Sequence, residues 1–215
     1  MEGTASLGER AERARTRIYG ELLPGDVRMA PCDEGRFWER SEEELRRHFP
    51  PEVYFHLDAP TEAPPAAERI VDHFLLLHGE RLVGATAGRQ LLDEPATYAT
   101  QYTCIHPDFR RRGIYAELQR RVIAYSAELG FARVESRHAP GNNAVLIAKL
   151  RAGFRIVMLD LDPAHGPTLV LRYFHEPVEL AAYEYRCGLA TVTPELARTG
   201  YGAWDELARQ LRASS

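Results

Sequence analysis

Residues Cys104 to Tyr115 read CIHPDFRRRGIY, and their types and order carry the clearest chemistry in the chain. A strand-like run ends at Ile105 and a helical run opens at Gly113, so the segment falls on a strand-to-helix junction. The first turn of a helix holds backbone N–H groups with no partner inside the helix, together with the positive end of its dipole, and that pairing suits an anion. Gly113 has no side chain to hold a phosphate at a distance, and Arg110, Arg111 and Arg112 ring the same point with positive charge. The expected chemistry is a diphosphate cradle. It is neither the GxxxxGK[ST] loop of nucleotide hydrolases nor the GxGxxG of a dinucleotide fold.

The elements that must hold this junction can be read from periodicity. Leu7, Ala11, Ala14 and Ile18 form a helical stripe over residues 5–19 that Pro24-Gly25 closes, and a short strand follows over Val27 to Pro31. Residues 36–49 read as an amphipathic helix with Phe37, Trp38, Leu45 and Phe49 on its apolar side. VYFHLD and then APTEAPPAAE follow, the second a surface connection by its prolines and small residues. IVDHFLLLH and RLVGATAGRQLL flank Gly79-Glu80 as a hairpin, and ATYATQYTCI makes a third antiparallel strand on which Tyr98, Thr100, Tyr102 and Cys104 are expected to share a face. Ile114, Leu118, Val122, Tyr125 and Leu129 line one side of a long helix ended by Gly130, and FARVESRH follows as a strand. That strand–helix–strand unit predicts a right-handed crossover with parallel strands. A helix from Asn142 to Ala152, two strands (FRIVMLDL and TLVLRYF) and a tail helix bearing Ala203, Trp204, Leu207 and Leu211 complete the pattern.

Two spaced motifs then carry a resemblance. Arg110, Gly113 and Tyr115 stand where the GNAT superfamily of acyl-CoA-dependent N-acyltransferases has Arg or Gln, Gly, and Gly or Ala; Asn142 and Gly153-Phe154 match its later motif. The chain resembles that family over residues 27–174, which leaves 1–26 as an N-terminal helical extension and 175–215 as a C-terminal one. The implied fold is α/β: a mixed, mostly antiparallel sheet with a central splay between the strand ending near Ile105 and strand 131–138, with flanking helices. The resemblance implies acetyl-CoA, or another acyl-CoA, as co-substrate, with no metal. Its diphosphate would lie on Arg110, Arg111, Arg112, Gly113, Ile114 and Tyr115, the last through backbone N–H with its ring turned away. Its pantetheine would meet backbone groups of Cys104, Ile105 and His106 and the side chain of Asn142.

The implied reaction is transfer of an acetyl group to a primary amine by direct attack. An alkylammonium has a pKa of about 10.4, so a base must first take its proton. His138 is favoured, at its strand's end and with an ordinary pKa close to working pH; Glu135 and Tyr102 are the other candidates. The oxyanion is expected on a backbone N–H near Ile105. Many relatives carry a Tyr seven residues after the motif Asn, whereas this chain has Lys149, its only lysine. Lys149 could protonate the leaving thiolate, pair with a CoA phosphate, or simply suit the carboxy end of its helix. Tyr102 is the substitute acid. Phe37, Trp38, Tyr54 and Phe55 could line an acceptor pocket or belong to the core.

Composition bounds these readings. The chain has 215 residues, 45% apolar and 27% charged, as a globular protein of one domain with appendages would. Its 27 basic and 31 acidic residues give a net charge of −4, which argues against a nucleic-acid coat, since counterion release needs a basic excess. No membrane-spanning run and no secretory leader are expected, and Cys32, Cys104 and Cys187 form no ligand pair, so the expected setting is cytoplasmic. The expected partners are acyl-CoA and a small amine or protein amino group, without nucleic acid or membrane; the tail's Trp204 face could cover the acceptor cleft or make a homodimer. The rival reading is an acyl-CoA-sensing module that binds without turnover.

Overall fold

The computed structural model describes residues 6–48, 69–162 and 166–189. Phe49, the VYFHLD and APTEAPPAAE segments with Tyr54 and Phe55, and the Trp204 helix lie outside them. The chain falls into two compact units, one ending at Tyr173 and the other beginning at Phe174. In the second, helix α5 (Pro177–Arg186) buries Ala182 against Ala181 and Tyr185, and Tyr183 stacks on Phe174. Periodicity did not reveal α5. Its signals are those of its ends: Pro177 at the start, Glu179 in the first turn and Arg186 in the last.

The first unit is built on a seven-stranded sheet: β1 (Val27–Pro31), β2 (Val71–His78), β3 (Arg81–Gln90), β4 (Thr97–Ile105), β5 (Arg133–His138), β6 (Arg155–Asp162) and β7 (Gly166–Phe174), whose last residue opens the second unit. The spatial order is β1-β2-β3-β4-β5-β7-β6. β1 to β4 run antiparallel in succession, β6 pairs antiparallel with β7, and β5 joins β4 in parallel after the crossover through helix α3 (Ile114–Leu129). The expected three antiparallel strands and the parallel crossover are both present.

Helices cover both faces. α1 (Leu7–Tyr19), opened by a reciprocal Ser6–Glu9 capping box, packs with α3 on one face; Ala11, Ala14, Phe74, Tyr98, Ile105, Ile114, Leu118, Val122 and Tyr125 meet there. The predicted α3 stripe is buried at every one of its five positions. α2 (Glu34–Glu44) covers the other face, where Phe37 and Leu45 pack on Leu75, Leu82, Ala85, Ala87 and Cys104. α2 is shorter than expected: it ends at Glu44, and residues Arg46–His48 tighten into a single 3-10 turn. Helix α4 (Asn143–Arg151) sends Leu146 into the α3-side core, which the Phe154 ring also joins.

One sequence expectation fails in an informative way. Ala87 lies opposite Tyr102 but Gly88 lies opposite Thr100, so Gln101 is an extra residue in β4 and forms a bulge. Strict alternation would keep Tyr98, Thr100, Tyr102 and Cys104 on one face. The bulge instead leaves Tyr98 in the α3-side core and turns Tyr102 and Cys104 to the α2 side.

A single buried carboxylate ties the α3 face together. Asp72 on β2 accepts from Arg15 of α1 at 2.6 and 2.8 Å, from the Tyr98 hydroxyl at 2.8 Å and from the Tyr125 hydroxyl at 3.3 Å. Four elements therefore converge on one charge. Asp72→Ala should lower unfolding free energy by about 3–5 kcal/mol, because it strips the Tyr98 and Tyr125 hydroxyls of their shared acceptor and leaves the part-buried Arg15 guanidinium with only the exposed Glu12. The double variant with Arg15→Met should lose less than the sum of the single losses. Urea unfolding checks both, and a loss under about 1 kcal/mol for Asp72→Ala would put the weight elsewhere.

Candidate active site

The Arg-rich segment runs, as its sequence suggested, from the end of a strand to the start of a helix. Gly113 is the N-cap of α3 with φ 83°, and no side chain caps the helix start. A Cβ at Gly113 would meet nothing nearer than Pro24 Cγ at 3.8 Å, so the space in front of the first turn is open. Arg111, at φ 60°, and Arg112 are exposed beside it, and the Arg112 guanidinium lies 4.7 Å above the Phe109 ring. Arg110 reaches back instead: its Nε donates to the Ile105 carbonyl at 3.0 Å, tying the loop to the end of β4. Tyr115 packs its half-buried ring against the α3-side core, and burial pushes its phenol up, so the face it offers the cradle is backbone.

Supports that the sequence did not single out fix this helix end. Buried Arg121 donates to the Glu21 and Leu22 carbonyls at 2.7 and 2.9 Å, holding the turn after α1 against α3. That turn sets Pro24 and Gly25 beside Gly113 and Arg112. Glu117, the acidic residue of the first turn of α3, would repel an anion, but Arg120 and then Arg121 hold its carboxyl down to about 2 as a paired carboxylate. The only signal for Arg121 in the sequence is its place four residues after Glu117.

The second feature is a parting of the sheet. β4 and β5 pair only from Thr97 to Thr100 with Arg133 to Ser136. Beyond Thr100 the strands diverge, and the bulge at Gln101 falls at the point of divergence. Cys104, Ile105 and His106 follow on one wall and His138 ends the other. The Ile105 carbonyl is taken by Arg110, and the His106 N–H by the Val83 carbonyl at 2.8 Å. The His106 imidazole caps the following turn, accepting from the Asp108 N–H at 3.2 Å.

Asn142 is the N-cap of α4 but its side chain makes no capping bond. Seven residues on, Lys149 is 1% exposed. Its Nζ is 3.3 Å from Thr100 Oγ1 and 4.2 Å from the Phe154 ring centroid. Burial lowers its pKa from 10.5 to about 7.

The remaining candidates separate. Glu135 is 2% exposed with its carboxylate held by Arg172 Nε at 2.9 Å and Arg137 Nε at 3.2 Å; Arg172 also reaches Glu94 at 2.6 Å. That carboxylate bridges β5 to β7. Tyr102 packs edge-on against Phe37 and Trp38 on the α2 side, with ring centroids 5.6 and 5.8 Å away. Phe37 is fully buried core, while Trp38 is partly exposed. Cys104 is buried and its thiol is pushed up to about 12, which leaves it protonated at neutral pH. The described residues hold no group of three or more potential metal ligands, and no helix among them is long and apolar enough to cross a membrane.

The acetyltransferase (GNAT) family model matches residues 34–154. No curated protein sequence matches the chain. Among solved structures it is similar to the ribosomal-protein-S18-alanine N-acetyltransferase from Escherichia coli, at 14% identity and a TM-score of 0.50, over 69% of this chain and 93% of that one. It is also similar to the GNAT domain of S. lividans PAT, at 13% identity and a TM-score of 0.53, over 72% and 94%. At such identities these two likenesses concern the fold. The family match covers more than half of the chain and takes in the cradle, the parted strands and α4; the chain belongs to the acetyltransferase (GNAT) family.

Proposed function

We propose that the chain transfers an acetyl group from acetyl-CoA to a primary amine by direct attack. The observation that carries this reading is the gap between β4 and β5 beyond Thr100 and Ser136, opening next to the uncapped start of α3. A slender chain that ends in a diphosphate needs that combination of slot and anion site. The co-substrate, when bound, supplies an activated acyl group; the residues supply everything else. The N–H groups of Gly113, Ile114 and Tyr115, with Arg111 and Arg112, hold the diphosphate. Arg110 keeps the loop in place, Asn142 hydrogen-bonds the pantetheine arm, and the β4 backbone about Cys104 and Ile105 forms the slot wall.

Direct attack is supported by the state of Cys104, whose buried and protonated thiol is a poor relay for an acyl group. His138 is the proposed base. It ends β5 on the far wall of the gap, half-buried, where an amine proton can leave toward solvent. Tyr102 and the partly exposed Trp38 stand on the α2 side, the side proposed for the acceptor. Glu135, expected as a possible base, is better read as a strut because both its oxygens are spent on guanidiniums.

That spent carboxylate favours one second reading, a module that binds acyl-CoA and turns it over slowly or not at all. Thiol release from acetyl-CoA across a panel of primary amines separates the two. Amine-dependent release is expected, and release no faster than background would leave the sensor.

Two substitutions test the assignments. Gly113→Glu should weaken CoA binding by more than about a hundredfold, since a like charge against the diphosphate costs several kcal/mol. Gly113→Ala shares the left-handed backbone strain without the charge and should bind far better; equal affinities by calorimetry would remove the diphosphate from this site. His138→Ala should cut turnover by about 10² to 10⁴ while leaving CoA affinity near wild type. An unchanged rate at neutral pH would move the base elsewhere.

A further inference from the structure

Two basic side chains on the α2 side of the sheet have no task in the fold or in the reaction proposed above. The β2–β3 ladder continues past the end of β2 to Ile70, whose carbonyl accepts from the Gln90 N–H at 2.9 Å. Ile70 and Asp72 turn into the α3-side core, so Arg69, Val71 and His73 turn the other way, where the His73 and Phe37 ring centroids are 4.9 Å apart. Arg89 of β3 lies opposite Val71 on one side and Ala99 of β4 on the other, and opposite residues share a face. Arg69 and Arg89 therefore stand on the side that Tyr102 and Trp38 line. Gln101 joins them to the parting of the strands. With its amide turned so that the oxygen meets both N–H groups, Gln101 Oε1 accepts from Arg89 Nε at 2.9 Å and from Nη2 at 3.1 Å. That ties the guanidinium to the bulge residue at which β4 leaves β5.

Both guanidiniums belong to half-buried residues, and among the described residues no carboxylate pairs with either. Arg69 Nε is enclosed without a hydrogen-bond partner. Gln101 takes two of the five N–H groups of Arg89 and leaves three. Burial and then the charge of Arg69 lower the Arg89 pKa, against smaller opposing effects of Asp93 and Glu34, which form no ion pair with it. The guanidiniums that serve the fold look different. Arg15 and Arg172 spend their donors on carboxylates, and Arg121 on two carbonyls and Glu117. Two like charges held side by side with donors left over are costly by themselves, and an anion between them removes that cost.

We propose that Arg69 and Arg89 bind a carboxylate on the acceptor, which makes the acceptor an amine of the amino-acid class. The proposal deepens the acetyl-transfer reading and rests on it. A carboxylate has two coplanar oxygens and can place one on each guanidinium. A monoanion also suits the charge already present, because Asp93 and Glu34 offset part of the two positive charges through space. Held beside Gln101, the carboxylate keeps the amine of the same molecule near the gap in which the acyl group is proposed to lie. An amine without it would leave these donors unpaired, so the pair discriminates as well as binds.

The experiment measures kcat/KM for thiol release from acetyl-CoA with α- and ω-amino acids, each beside its carboxamide and the matching aminoalkylphosphonate. The wild-type chain should prefer an amino acid over its amide by about ten- to a hundredfold. The α-amino amides have the less basic amines and so the larger neutral fraction, which means that such a preference cannot come from the amine. Arg89→Met and Arg69→Met should each lower the acid-to-amide ratio by about tenfold or more, through a higher KM for the acid. Equal use of acid and amide by the wild-type chain, or variants that slow both alike, overturns the proposal and leaves acetyl transfer standing. A preference for the phosphonate overturns the carboxylate assignment. No thiol release with any amine, while CoA still binds, overturns the acetyl-transfer reading itself. If the variants do not fold, the wild-type ratio decides alone.

Discussion

The architecture turns on a parallel ladder that stops early. β4 and β5 share four residue pairs and then separate; beyond Thr100, β4 goes on pairing with β3 as far as Ile105 but no longer with β5. In a closed core such a break would be a defect, because unpaired peptide groups cost free energy unless water or a ligand meets them. Here the surrounding elements hold the break open. The bulge at Gln101 bends β4 at the parting, Arg110 fastens the end of that strand to the loop that follows, and Glu135 is clamped toward β7 by Arg172, away from β4. The slot is therefore built by side chains on both strands and is not a by-product of poor pairing.

The same logic governs the charge around the helix start. A cradle for an anion must hold its N–H groups still and keep carboxylates quiet. Arg121 does both: it is buried, fixes the turn after α1 through two carbonyls, and with Arg120 neutralises Glu117. The Asp72 network acts one layer deeper, joining α1, β2, β4 and α3 about one carboxylate, so that the N-terminal helix belongs to the scaffold under the cradle. Arginine thus has two uses in this unit. Buried guanidiniums organise the backbone, and exposed Arg111 and Arg112 face solvent at the cradle.

Much of this was legible in the sequence because the signals were local. The α3 stripe, the Gly-flanked hairpin, the Arg-rich junction ending in Gly113 and the spacing from Asn142 to Phe154 each follow from neighbours a few residues apart. What was hidden depends on contacts between distant segments or on broken periods. A period-two reading cannot register the extra residue at Gln101, so it put Tyr102 on the face of Thr100. The fate of Glu135 is decided by Arg172, 37 positions away, and that of Arg121 by carbonyls some 100 positions away. Lys149 was partly visible, since it stands three residues after buried Leu146 on the inner stripe of α4. Its polar head hid that periodicity.

Residue choice along the whole chain bears on why that inner position holds a lysine. Of 27 basic residues all but Lys149 are arginine, and the Asp72, Glu94, Glu117 and Glu135 carboxylates each pair with a guanidinium. Where positive charge alone is wanted, this chain uses a guanidinium. A guanidinium keeps its proton across the whole pH range of proteins and needs several acceptors to satisfy its five donors. The pocket under Thr100 offers Nζ one hydroxyl oxygen and an aromatic face, too little for that fork but enough for a compact amine. Burial lowers the pKa of that amine to about 7, whereas a guanidinium in the same place would stay charged and leave most of its donors without acceptors.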